Sequence, residues 1–245
     1  MIIVNADDYG LHPDINLGID KCISKGYLKS ISVSANSKNV DWEKLFNYQE
    51  MGILVGTHIT LVTEPWKTAN YHFRSWKHLL INLFIKPKSF ISEIQNEIEW
   101  QLSEFKKNKI NITHIDSHQH IHISPLIWPL INKLAKDLNI KRIRLPYSPK
   151  LSLIRRTLPG LILHLLSKYR KRSYNSAIPC IGIAYSGNNT VKSLEKELAL
   201  VKDKKAELIV HIAKTGNNAA LGAKGYHWQD ELDALATTYK LGRLC

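Results

Sequence analysis

The sequence predicts an α/β protein in which about seven parallel strands and their crossover helices close into a (β/α) barrel. Three observations predict it. Short apolar runs suited to buried strands recur along the whole chain, and segments with helical spacing fall between them. The residues able to do chemistry gather at or near the C-terminal ends of those runs, the face on which such barrels build their sites. With 245 residues, 44% of them hydrophobic, the chain can bury a full core. One domain spanning residues 1–245 is expected, since no Pro/Gly/Ser-rich linker, internal repeat or low-complexity tract divides it.

The first run, Ile2 to Asn5, ends in polar residues and Gly10, so Asp7 and Asp8 sit at a strand's C-terminal end. Neighbours on a strand point to opposite faces, so the two Asp residues cannot share a task unless the strand has ended before them. In the second, Ser30 to Ala35, Ile31, Val33 and Ala35 alternate with Ser30, Ser32 and Ser34 before Asn36. A hydroxyl-lined face suits a sugar, or else is internally hydrogen-bonded. The third strand is expected over Ile53 to Leu61. Ile91, Ile94, Ile98, Leu102 and Phe105 then recur at helical spacing.

The fourth strand, Ile112 to His118, opens the densest cluster of ligand types in the chain. If it stays extended, Asp116, His118, His120 and His122 share one face. Such a face is expensive to bury without a metal or a hydrogen-bond network. The fifth, Lys141 to Leu145, presents Arg144, able to neutralise a developing oxyanion, to orient Asp7, or to form a structural ion pair. The sixth is expected over Ile181 to Ala184. Val191, Leu194, Leu198 and Val201 follow at helical spacing, with Thr190 as N-cap, and Leu208 to Ile212 forms the last strand.

Composition excludes several classes. Cys22, Cys180 and Cys245 have no zinc-like spacing and read as thiols in a reducing compartment. The first strand begins at once, so no signal peptide is expected, and no run approaches the ~18 apolar residues of a membrane span. A cytoplasmic protein is therefore expected. The formal charge is +13, with basic residues at Lys106 to Lys109, Lys168 to Arg172 and Lys202 to Lys205, where helix ends and solvent accommodate them. Two segments, His78 to Phe90 and Leu151 to Arg172, mix Leu and Ile with Lys and Arg as interfacial helices do, although Pro159-Gly160 interrupts the second. They make peripheral contact with the inner, anionic face of a membrane an expectation. No interleaved aromatic and basic motif of a nucleic-acid module is present, and oligomeric state is not legible.

Six segments, NADDYG from Asn5, GTHITL from Gly56, THIDSHQHIH from Thr113, IRLPYS from Ile143, GIAYSG from Gly182 and ELIVHIAKTG from Glu207, resemble in order and spacing the YdjC-like carbohydrate deacetylases. That family includes diacetylchitooligosaccharide deacetylases and proteins associated with hopanoid biosynthesis. The resemblance implies a distorted (β/α) barrel and metal-dependent removal of acetyl from an N-acetylated sugar, an oligosaccharide or glycolipid of the N-acetylglucosamine type. It implies Asp7 as general base, Asp8, His58 and His118 as metal ligands, and His211 as general acid. Arg144, His120 and Asn36 are the residues expected at the substrate. The family usually follows its acid His with Pro and Gly, whereas Ile212, Ala213 and Lys214 stand here.

Two imidazoles and one carboxylate favour zinc or another transition metal on ligand softness, while the resembling family is commonly assigned magnesium. Mg2+ is the expected cofactor, with Zn2+ as competitor. The other function class is a non-catalytic carbohydrate-binding or regulatory protein on the same barrel. Retention of both Asp residues and the three His residues argues against it.

Overall fold

The computed structural model describes residues 1–85, 87–147, 158–171, 178–202, 204–215, 221 and 225–244. Ser148, Leu151 to Thr157, Arg172, Gly216 and Cys245, on which parts of the motif, basic-segment and cysteine readings fall, lie outside them. The strands are β1 (Ile2–Tyr9), β2 (Ser30–Val33), β3 (Leu54–Ile59), β4 (His114–Ser117), β5 (Arg142–Ile143), β6 (Cys180–Ile181) and β7 (Ala206–Val210). All seven pair in parallel in one sheet, ordered β5-β4-β3-β2-β1-β7-β6. The sheet curls into an incomplete barrel. Among the described residues no ladder joins β5 to β6, but the Cys180 N–H donates to the Tyr147 carbonyl at 3.0 Å across that seam.

The expected strands are all present, with shifted bounds. β1 runs on to Tyr9, whereas β5 and β6 keep two residues each and β4 stops at Ser117. Apolar runs mark what is buried, while a ladder marks what has a paired neighbour, and the two end at different residues.

Around the sheet lie α1 (Pro13–Ser24), α2 (Trp42–Glu50), α3 (Trp76–Ile85), α4 (Pro87–Lys107), α5 (Trp128–Asp137), α6 (Leu158–Lys171), α7 (Val191–Leu200) and α8 (Trp228–Lys240). The helical spacing from Ile91 to Phe105 is the inward face of α4, where Ile94, Ile98 and Phe105 are fully buried. Thr190 caps α7 as expected: its hydroxyl accepts from the Ser193 N–H at 3.2 Å, and the Ser193 hydroxyl accepts from the Thr190 N–H at 2.9 Å. Among the described residues no helix is long and apolar enough to cross a membrane.

The period of two along the strands separates two environments. Val4, Ala6, Ile31, Val33, Val55, Leu208 and Val210 belong to an apolar core shared with α1 and α8, and Ile59, Ile115 and Ile143 to a second core shared with α3, α4 and α5. The other parity is polar yet buried: Asn5, Asp7, Ser32, His58, His114, Asp116, Arg144 and Glu207. Buried polar groups persist only when paired, and these pair with one another across the sheet. One glycine makes room for them, since a Cβ on Gly56 would lie 2.3 Å from the His114 ring.

Candidate active site

β1 delivers two adjacent carboxylates to one cleft by breaking its own alternation. The β1–β2 register passes from Ala6↔Ile31 to Tyr9↔Val33, one residue more on β1 than on β2, and Asp8 sits in the left-handed region at φ 71°. Such a bulge re-aims side chains at a modest conformational cost. Asp7 and Asp8 consequently both line a cleft of about 740 Å³ at the C-terminal ends of the strands.

Their surroundings differ. Asp7 accepts two hydrogen bonds from Arg144, Nη1 to Oδ2 at 2.7 Å and Nη2 to Oδ1 at 2.8 Å, and a third from Asn5 Nδ2 at 2.8 Å. Asp8 Oδ1 instead lies 3.1 Å from His58 Nε2 and 3.0 Å from His118 Nδ1. Burial raises the Asp8 carboxyl, but the His118 and His58 imidazoles outweigh it and hold the group well below the usual carboxylate range. Asp8, His58 and His118 thus converge with one ligand atom each within 4.8 Å of one another, as a metal site requires.

Behind this triplet stands a residue that sequence reasoning did not assign. Asp116 Oδ1 lies 2.7 Å from His58 Nδ1, leaving Nε2 to face Asp8. Asp116 Oδ2 accepts from Ser32 Oγ at 2.6 Å and pairs with Arg144 Nη2 at 2.7 Å. Burial lowers the His58 imidazole, but the Asp116 and Asp7 carboxylates more than offset this and push it up to about 10, so the position favours positive charge. Arg144 also reaches Glu207 Oε1 at 2.9 Å, and Arg142 Nη1 lies 3.1 Å from Glu207 Oε2. The signal for Asp116 and Glu207 was available in the strand period, since each has the inward parity of its strand.

Several expectations need correction. The fourth strand does not continue through the histidines: His118–Ile123 form a short 3₁₀ turn in which Gln119 and His120 take left-handed conformations at φ 55° and 54°. His118 and His120 therefore line the cleft, but His122 turns inward. Its Nε2 lies 2.7 Å from the Arg144 carbonyl, which only accepts, so Nε2 carries the proton and Nδ1 accepts from Ser117 Oγ at 2.6 Å. Burial, chiefly, lowers His122 to about 4 and keeps it neutral.

The hydroxyl face of β2 is hydrogen-bonded within the protein. Ser32 is tied to Asn5 and Asp116, and Ser34 Oγ accepts from Thr60 Oγ1 at 2.9 Å. Asn36 is fully buried, its amide donating to the Thr60 carbonyl at 3.0 Å, and it does not line the cleft. Arg144 is equally absent from the cleft wall, sitting beneath Asp7. Of its expected tasks, its geometry fits two, orientation of Asp7 and a structural ion pair, here with Asp116 and Glu207.

His211 follows β7 and is 9% exposed on the cleft wall. Its backbone N–H donates to Glu231 Oε1 at 2.7 Å, and its ring meets Tyr226 and Trp228 edge-on, with centroids 5.3 and 6.0 Å away. The Ile212-Ala213-Lys214 departure is accommodated by α1. The Lys214 N–H donates to the Asp14 carbonyl at 2.9 Å, and a Cβ on Gly18 would lie 2.6 Å from the Ala213 Cα.

A family model described as YdjC-like protein matches residues 1–239. The chain is 29% identical over 154 residues to a carbohydrate deacetylase of Brevibacillus brevis, covering 60% of this chain and 59% of that protein. It is 29% identical over 146 residues to a chitooligosaccharide deacetylase of an Enterobacter species, covering 55% of each. It is 30% identical over 148 residues to a carbohydrate deacetylase of Halalkalibacterium halodurans, covering 57% of this chain and 61% of that protein. The chain thus spans little more than half the length of these relatives. A solved structure from Enterococcus faecalis V583, described as that of a candidate cellobiose-phosphate cleavage protein, superposes with a TM-score of 0.73 at 18% identity, covering 99% of this chain and 92% of that one. That likeness is one of fold.

Proposed function

The chain belongs to the YdjC-like protein family, and from that membership and the cleft geometry we propose that it is a metal-dependent hydrolase removing the acetyl group from an N-acetylated sugar, an oligosaccharide or glycolipid of the N-acetylglucosamine type. Relatives named carbohydrate and chitooligosaccharide deacetylases support the substrate class. One observation carries the chemistry: the Asp8, His58 and His118 donors converge beside Asp7, in the cleft that His211 also lines.

The donor set fits a divalent cation. One carboxylate oxygen stands about 3 Å from two imidazole nitrogens, and an outer carboxylate, Asp116, orients one of the rings. A bound cation supplies Lewis acidity, acidifying a water and drawing charge from the acetyl carbonyl. Mg2+ is the cofactor proposed on the family resemblance, with Zn2+ the competitor that two nitrogen donors favour.

The chain's own groups move the protons. Asp7, its oxygens fixed by Arg144 and Asn5, accepts the proton of the water that adds to the acetyl carbon. His211 then gives a proton to the departing sugar nitrogen as the C–N bond breaks, leaving acetate and a free amine. Its ring packs edge-on against Tyr226 and Trp228 on the cleft wall. His120 is the residue assigned to the sugar, supported by its place in the lining of the same cleft. A cytoplasmic location belongs to the same proposal, supported by Cys22 and Cys180, both free and buried.

Elemental analysis together with acetate release from N-acetylglucosamine oligomers of graded length tests this reading. Stoichiometric metal and acetate release are expected. Full activity in a metal-free preparation, or a metal-loaded protein that deacetylates none of the oligomers, would overturn it.

A further inference from the structure

The charge of this protein is concentrated in two stretches of chain. Residues 65–92 and 146–179 together contain twelve of the 34 Lys and Arg and none of the 21 Asp and Glu, so they account for +12 of the formal +13. The other 183 residues are almost neutral. Solubility alone gives no reason for this, because a solvated surface mixes both signs.

The helices built from these stretches also leave apolar faces uncovered. α3 buries Leu79 and Leu83, yet presents Lys77, Ile81, Phe84 and Ile85, spaced as one helical stripe, to solvent, with Phe84 87% and Ile85 65% exposed. α6 buries His164 and Ser167 and presents Ile162, Leu165 and Tyr169 at intervals of three and four, beside exposed Lys168 and Lys171. Six of the fourteen exposed large apolar side chains among the described residues lie on these two helices.

Both helices adjoin the catalytic cleft. The first N–H of α3, on Trp76, donates to Gln119 Oε1 at 3.1 Å, and α6 packs against the same His118–Ile123 turn. His118, Gln119 and His120 of that turn line the cleft.

We propose that the exposed apolar and basic stripes of α3 and α6 form a docking surface for an anionic lipid bilayer, set beside the mouth of the cleft. Charge complementarity selects the occupant. A second copy of this chain would bring two strongly positive faces together, whereas anionic headgroups neutralise the Lys and Arg residues while the acyl region receives Ile81, Phe84 and Leu165. Docking this way holds the cleft against the lipid surface, so a substrate carried on lipid reaches it without leaving the bilayer. The surface stands independently of the hydrolase reading.

Co-sedimentation with vesicles of phosphatidylcholine and phosphatidylglycerol in equal parts, against vesicles of phosphatidylcholine alone, tests it on the full chain. Binding to the anionic vesicles at low salt and release as ionic strength rises are expected. Lys77→Gln with Lys168→Gln should weaken that binding roughly tenfold or more. Phe84→Ser with Leu165→Ser should do so by a similar factor without altering charge, circular dichroism or acetate release from a soluble oligosaccharide. Equal binding to both vesicles, or undiminished binding by the Phe84→Ser, Leu165→Ser protein, overturns the proposal. So does a dimer in sedimentation equilibrium that this double variant dissolves, which would assign the face to a second copy.

Discussion

Arg144 grips both carboxylate oxygens of Asp7, at 2.7 and 2.8 Å, and leaves the adjacent Asp8 to His58 and His118. Two chemically identical side chains, one residue apart, are made unlike by their partners. A guanidinium fork fixes one as an oriented acceptor, and two imidazoles beside the other make it part of a candidate cation site.

The two Asp residues should therefore separate on mutation. Asp8→Ala or His118→Ala is expected to lose metal and activity together. Asp7→Asn should retain metal and substrate binding while turnover falls by roughly 10² to 10⁴. Metal content and acetate release measured on the same preparations decide it, and loss of metal from Asp7→Asn with retention in Asp8→Ala would reverse the roles.

Asp116 touches no part of the cleft wall but holds His58 Nδ1 at 2.7 Å. Asp116→Asn keeps the shape and removes the charge, and should weaken metal affinity by roughly 10- to 100-fold. Competition with a chelator of known affinity gives the value. An affinity unchanged within twofold would show that His58 needs no outer carboxylate.

His211→Ala should lower turnover strongly while leaving metal content intact, because its ring is held by Tyr226 and Trp228 rather than by the ligand triplet. If turnover stays normal, the role passes to His120 before the other cleft imidazoles, His12 and His72, and not to His122, which is committed to Ser117 and the Arg144 carbonyl.

Acid should reach the fold through Glu207. Burial raises this carboxyl, but Arg144 and Arg142 outweigh burial and bring it from 4.5 down to about 2. A depressed carboxylate stabilises the native state above its unfolded pKa, and that contribution is lost as pH falls through the folded value. The window is thus from about 4.5 down to about 2, and the contribution is on the order of 3 kcal/mol. Urea unfolding across that range should show a shallower pH slope for Glu207→Gln than for the natural chain. Identical slopes would mean that the arginines gain nothing from ionised Glu207.

Much of this was legible along the chain. The seven apolar runs, the α4 spacing from Ile91 to Phe105 and the Thr190 cap are each written within a few consecutive residues, because side-chain period and capping chemistry are local properties. The ligand types at Asp8, His58 and His118 were legible for the same reason. The bulge that aims both Asp7 and Asp8 into the cleft was not, nor the turn that sends His122 inward, nor the pairing of Ser32 with Asp116. Those features depend on which strand lies alongside. Asp116 meets His58 across 58 residues and Arg144 meets Asp7 across 137, so only the folded sheet, by setting register and burial together, decides which polar groups pair.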